Sequence, residues 1–207
     1  MRALRIHLLI GLLLVFACQP EHLSPADYIK YVRNPENGFI QQVHVANLMI
    51  EAFYQPPNYV ALMQSKPGSA VKVSVHKNLE RQSGFCQFMV ALRATSGLPI
   101  DKELAKLSGD PDSLELKKQH MLYRLEKSFT VLTENDSLPC VFYHAQPTGQ
   151  VDNAYRFILA FESDARALPS NKREGLRLVY RDSLWFHRKF EFVFNQETIL
   201  NAPKLKF

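Results

Sequence analysis

Apolar residues recur at every second position over much of this chain. The two-residue period begins at Phe39. It places Leu48, Ile50, Ala52 and Tyr54 on one side of an extended segment, with Met49, Glu51 and Phe53 on the other. Phe85 to Arg93 repeats it, with Cys86, Phe88, Val90 and Leu92 sharing a face. Val71, Val73 and Val75 alternate with Lys72 and Ser74, which reads as a half-exposed strand or a β-like loop. Beyond residue 128 the pattern returns in Phe129 and Val131, then in Val141 and Tyr143, the two runs joined by the turn-rich segment from Glu134 to Ser137. Tyr155 to Phe161, Leu176 to Tyr180 and Phe190 to Phe194 complete the set.

Two regions break this period. Ser24 is a suitable N-cap, Pro25 suits a first helical position, and Tyr28, Ile29 and Val32 make one face, so a short helix is predicted there. Asn34 to Gly38 then reads as a turn. Asp101 to Ser108 carries Leu104 and Leu107 on one side and stops at Gly109. A second helix begins with Asp110 as cap and Pro111 in its first turn. Strands joined by short turns favour a mainly β fold of α+β type. The expectation is an antiparallel β-sandwich or a curved sheet, with a small helical insertion around residues 101–121 covering one face or edge. Pro56-Pro57-Asn58-Tyr59 matches a short WW-ligand motif but reads as the turn that ends a strand. Tyr59 to Gln64 forms one helical turn or two.

The N-terminus follows another rule. Arg2 and Arg5 precede an apolar run from Leu8 to Phe16, the layout of a secretory leader. As a helix that run would rise about 14 Å, against roughly 30 Å of bilayer hydrocarbon, and Pro20 prevents its extension. Val15-Phe16-Ala17-Cys18 resembles a bacterial lipobox, in which the cysteine is acylated and becomes the first mature residue. The organisation expected is a leader over residues 1–17, a tether over 18–24 and a single domain over 25–207, with Cys18 as the lipid attachment point.

Composition adds limits. A hydrophobic fraction of 46% with 22% charged residues describes a chain that folds around a core. The net charge of +5 is reduced when Arg2 and Arg5 leave with the leader, too close to balance for a nucleic-acid binder. Two cysteines remain besides the anchor, Cys86 and Cys140. An oxidising envelope permits a disulfide between them, and two separate buried thiols are the alternative.

Candidate chemistry is sparse. His44, His76, His120, His144 and His187 have no metal-ligand spacing, and no HExxH, CxxC, GxSxG or phosphate-cradling glycine loop occurs. No catalytic, metal or cofactor residue is therefore assigned. His144 with Asp152 or Glu162 is the one acid–base pair a fold could assemble. Asp110 and Asp112 lack the repeat of oxygen ligands that calcium needs. Lys172, Arg173, Arg177, Arg181, Arg188 and Lys189 make the C-terminal third basic, and Glu174, Asp182 and Glu191 dilute it. A solvated face is the default, contact with anionic lipid headgroups the sharper alternative.

Several stretches carry a resemblance: Asp27 to Gly38 (DYIKYVRNPENG), Phe53 to Val60 (FYQPPNYV), Leu138 to His144 (LPCVFYH), Tyr155 to Phe161, and Ala202 to Phe207 (APKLKF). Together they resemble a group of uncharacterised lipoproteins common in Bacteroidota. The group carries no activity, so the resemblance supplies no catalytic residue. It strengthens the lipoprotein reading, and Gln19 rather than Asp after the anchor favours, by resemblance to general sorting rules, the outer membrane, on its periplasmic face or at the cell surface. The function expected is a non-catalytic module that binds an envelope protein partner. The alternative is an envelope hydrolase or small-ligand-binding lipoprotein.

Overall fold

The computed structural model describes residues 21–65, 71–82, 84–134, 136–146, 153–163 and 175–207. The leader, Cys18, Asp152, Lys172 and Arg173 lie outside them. Eight antiparallel strands form one sheet: β2 (Ile40–Val45), β3 (Leu48–Gln55), β4 (Phe85–Ala94), β5 (Phe129–Leu132), β6 (Ser137–Gln146), β7 (Ala154–Glu162), β8 (Leu176–Asp182) and β9 (Arg188–Phe194). Their spatial order is β2-β3-β4-β7-β6-β5-β8-β9, and the two edge strands approach each other, so the sheet nearly closes into a barrel. Of the two expected architectures, the curved sheet is the one formed.

β6 changes partner along its length. Its first residues pair with β5, Val131 opposite Leu138, whereas from Cys140 onward it pairs with β7, with a register shift between Cys140 and Phe142. An extra residue in one strand of a pair bends it and increases its twist. That bend carries the sheet from its first half into its second.

The expected inward faces are buried as a set, including Ile50, Phe88, Val90, Leu159 and Phe192. Aromatic side chains run across the inside, one per strand. Phe157 on β7 stacks on Tyr143 of β6, which stacks on Phe129 of β5, then on Tyr180 of β8, then on Phe190 of β9. Each such contact adds about 0.5–1.5 kcal/mol beyond its buried area.

Helices close the rest. α1 (Pro25–Arg33) is capped by Ser24 as expected and buries Tyr28 and Val32. α4 (Ile100–Ser108) and α5 (Pro111–Tyr123) form the expected insertion, with Asp110 accepting from Ser113 N–H at 2.8 Å. These two helices reach the inward-facing tyrosines: Tyr155 Oη donates to Asp101 at 2.7 Å, and Tyr143 Oη donates to the Met121 carbonyl.

α2 (Pro57–Met63) and α3 (Val71–Gln82) pack against each other. α2 lies over the outer face of the sheet, where Tyr59 meets Phe53 edge-on at 5.1 Å. α3 corrects the strand or β-like loop expected at residues 71–75. Val73 is 73% exposed while Val75 is buried, and the less exposed positions are 71, 74, 75, 78, 79 and 82, a helical spacing. The alternating valines are coincidental to the helical stripe. Asn78, which joins α3 to the Ala61 carbonyl and Ser65 Oγ, lies on that stripe.

The two ends of the described chain meet. β1 (His22–Leu23) pairs in parallel with β10 (Lys204–Leu205), Lys206 N–H donating to the Leu23 carbonyl at 2.8 Å. α6 (Gln196–Leu200) leads into β10. The expected tether over residues 18–24 is thus shorter on its domain side, because His22 and Leu23 are strand and Ser24 is a cap.

Cys86 and Cys140 are free thiols, which corrects the bridge considered from sequence. Both sit opposite Phe161, Cys86 on β4 and Cys140 on β6, so a whole strand separates them. Two inter-strand spacings amount to roughly 10 Å, beyond the Cα separation a disulfide tolerates. Burial raises the thiol pKa of Cys86 far above its ordinary value and pushes that of Cys140 up to about 11.

Candidate functional site

The strand register fixes what the outer face presents. Because side chains alternate, one row across it reads Gln42, Glu51, Ala91, Arg156 and Gln146, and the next reads Ile40, Phe53, Met89, Ile158 and His144. Arg93 on β4 stands opposite Ala154 on β7, and Arg156 on β7 stands opposite Ala91 on β4. The two arginines are therefore diagonal neighbours on one face of two central strands.

α1 and α2 turn this face into a groove of about 520 Å³. Arg33, at the end of α1, donates from Nε to Tyr59 Oη at 2.8 Å, and its guanidinium lies 5.7 Å from the centre of the Tyr59 ring. Val60, Met63 and Gln64 of α2 complete that wall, and Glu51, Gln55, Gln87, Met89, Arg93, Arg156 and Gln146 are among the floor and far side. Among the described residues, Arg33, Arg93 and Arg156 line the groove together with the carboxylate of Glu51, which accepts from Gln42 Nε2 at 2.7 Å. Pockets of this volume suit small molecules, and convergent polar groups over an apolar floor give orientation.

The amides are ordered. Gln87 Nε2 donates to Gln82 Oε1, and Gln82 Nε2 donates to Gln64 Oε1 at 3.3 Å. The chain of amides ties the floor of the groove to α2 through the end of α3.

The sequence candidates sit elsewhere. His144 is exposed on the outer face of β6, stacked on Phe142, and is not part of the groove. It pairs across strands with Ile158, whereas Glu162 is four residues further along β7, roughly 13 Å away, so those two do not form an acid–base pair. Its other candidate, Asp152, lies outside the described residues. Asp110 is occupied as a helix cap and Asp112 is exposed. Of the basic residues, Lys189 and Arg177 flank Glu191 at 2.6 and 3.9 Å, and the Lys189 hydrogen bond above all lowers its carboxyl pKa from the ordinary value. Tyr59 of the proline motif is buried against Phe53 rather than displayed.

The groove was missed from sequence because its residues come from six elements, and each polar one occupies an ordinary outward position of a strand or helix. The signal present was the identity of those positions: arginine and glutamine at 87, 93 and 156 within otherwise apolar central strands.

No family model and no curated protein matches the chain. Two solved structures are similar at the level of a distant fold. A DUF4426 family protein from Pseudomonas aeruginosa is 12% identical, with a TM-score of 0.36, over 76% of this chain and 92% of that one. A protein of unknown function from Burkholderia pseudomallei is 9% identical, with a TM-score of 0.38, over 90% of this chain and 96% of that one.

Proposed function

We propose that this protein is a membrane-tethered, non-catalytic binding module of the cell envelope, held through an acylated Cys18, and that its binding site is the groove between α1, α2 and the outer face of the sheet. The leader and lipobox pattern support the tether. One observation supports the site: three arginines and four glutamines line a single 520 Å³ groove on a floor of paired strands. Among the described residues that line it, none sets a nucleophile beside a base, and recognition rather than turnover suits their chemistry.

Two measurements test this. A photoreactive residue at Met63, which is 53% exposed on the groove wall, should give a discrete adduct with a different molecule in intact cells, whereas one at Leu116, 67% exposed on α5, should not. Equal labelling at both positions, or none at Met63, overturns the site. Cys18→Ala should move the protein from the membrane to the soluble fraction, and continued attachment overturns the tether.

A second reading, docking of an envelope protein, is favoured by a different surface. Phe85, Val141 and Phe142 are 42%, 51% and 53% exposed around the β6 bulge, apolar area that a monomer ordinarily covers. A photoreactive residue at Val141 reports on it separately.

A further inference from the structure

We propose that a second copy of this chain docks on α5, the two α5 helices packing antiparallel across a two-fold axis. The exposed positions of α5 are 111, 112, 115, 116, 119 and 123, the spacing of one helix face, while Met121 on another side is buried. A helix face left to water is ordinarily polar. This one carries Leu116 and Tyr123, 67% and 75% exposed, two turns and about 10 Å apart. Neither packs into the core, which takes Leu114, Met121 and Leu122 from this helix. The helix is firmly mounted: Lys118 pairs with Asp101 at 3.2 Å, and Tyr143 Oη donates to the Met121 carbonyl.

The order of residues along the face selects the occupant. In a two-fold contact residue i meets residue j of the other copy, and j meets i. For two antiparallel helices centred between Gln119 and His120, positions equally far before and after the centre face each other. Leu116 then meets Tyr123 of the second copy, and Glu115 meets Arg124 of the second copy, each contact occurring twice. Asp112 and Lys127, both exposed, fall at matching distances beyond them. Among the described residues Arg124 has no ion pair or side-chain hydrogen bond, and Glu115 has a 3.4 Å contact from Gln119. The opposite charges on this face are therefore within reach of a second copy.

Other arrangements fit less well. A parallel pair would set Glu115 against Glu115 and Arg124 against Arg124, like charges that repel. An anionic membrane surface would meet Asp112 and Glu115 on the same face. Among the described residues α5 contributes nothing to the groove lining, so this contact goes beyond the groove reading and is tested apart from it.

The first test is sedimentation equilibrium of the full-length protein in density-matched detergent. One helix pair is small beside a standard interface, so dissociation is expected at roughly 10–100 µM. Glu115→Arg or Arg124→Glu alone sets like charges together twice and should weaken the dimer about tenfold or more, and the double reversal should restore it. Circular dichroism checks that these exposed substitutions leave the fold intact. In intact cells under mild oxidation, Gln119→Cys, beside the axis, should give a disulfide-linked band at twice the monomer mass, and Lys102→Cys, exposed on α4, should not. A photoreactive residue at Leu116 should label a second copy alone. A wild type still monomeric at about 0.5 mM overturns the proposal. So does a double reversal that associates no better than the single ones, absence of the Gln119→Cys band, an equal band from Lys102→Cys, or a Leu116 adduct with a different protein.

Discussion

Asn153 Oδ1 accepts a hydrogen bond from the Ile100 backbone N–H at 2.8 Å, and Nδ2 of the same side chain donates to the Leu98 carbonyl at 2.8 Å. Pro99, at the N-cap of α4, has no side chain able to do this, so a residue 53 positions away in sequence supplies the cap. Asn153 also holds a left-handed backbone, φ 50°, which asparagine tolerates better than most residues. Asn153→Gly keeps the backbone and removes the cap, at about 1 kcal/mol. Asn153→Ala removes the cap and strains the backbone, at about 2 kcal/mol. Urea unfolding of the two variants separates the contributions, and equal losses would show that the cap alone matters.

Asp182 is a second local organiser. Its buried carboxylate accepts from Tyr180 Oη at 2.8 Å and from the backbone N–H groups of Leu184, Trp185 and Phe186, which shapes the β8–β9 connection. Asp182→Ala strands those buried donors and should destabilise by about 3 kcal/mol, and Tyr180→Phe by about 1. Thermal denaturation ranks them, and a smaller loss in Asp182→Ala than in Tyr180→Phe would remove the carboxylate from this role.

Glu103 gives a pH dependence. Lys106 and Ser96 hydrogen-bond its side chain at 2.8 and 2.6 Å and hold its pKa below the ordinary carboxylate value, with Asn47 adding a weaker contact. A carboxyl whose folded pKa is depressed stabilises the fold above its unfolded pKa, and that contribution disappears as pH falls through the folded value. The stability advantage of the wild type over Glu103→Gln should therefore be constant from neutral pH down to the usual carboxylate range and shrink below it. A difference that grows on acidification would reverse the assignment.

Gly175 has no space for a side chain. A Cβ there would lie 1.8 Å from the Phe194 carbonyl oxygen, which is backbone and cannot swing aside. Gly175→Ala should cost about 2 kcal/mol or more and loosen β8 from β9, visible as faster amide exchange at Leu176 and Phe194. Unchanged exchange would place the tolerance elsewhere.

The thiols make the last prediction. With its pKa pushed up to about 11, Cys140 is about one part in a thousand thiolate at pH 8, and buried Cys86 is far less ionised. Alkylation of the folded protein at pH 8 should be slow at Cys140 and undetectable at Cys86, with both modified after unfolding without reductant. A mass two units low in the unreduced protein would reveal a bridge instead.

Much of the sheet was legible because one face of each strand is buried, and alternation follows directly from burial. Phe53 shows the limit: it lies on the outward side of β3 yet is buried, because α2 covers it through Tyr59. The same covering made residues 71–75 misleading, since three valines in alternation look like a strand until a partner helix selects which positions are hidden. The insertion at 101–121 was readable from Asp110, Pro111 and Gly109, which mark helix ends by backbone chemistry alone. Closure of the sheet and the groove were not, because both depend on which strands become neighbours: β4 lies beside β7, more than 60 residues away, and only that pairing brings Arg93 to Arg156.

The clasp of β1 on β10 couples the two ends of the described chain. Were the domain held at Cys18 as proposed, β1 would begin four residues beyond the anchor, and a fully extended chain from Cys18 to Glu21 reaches at most roughly 10 Å. If Lys204 to Phe207 were clipped, His22 and Leu23 would lose their partner strand and the leash would run to Ser24, roughly 20 Å. If the proposed attachment at Cys18 holds, Lys204 to Phe207 therefore set how far the domain can stand from it.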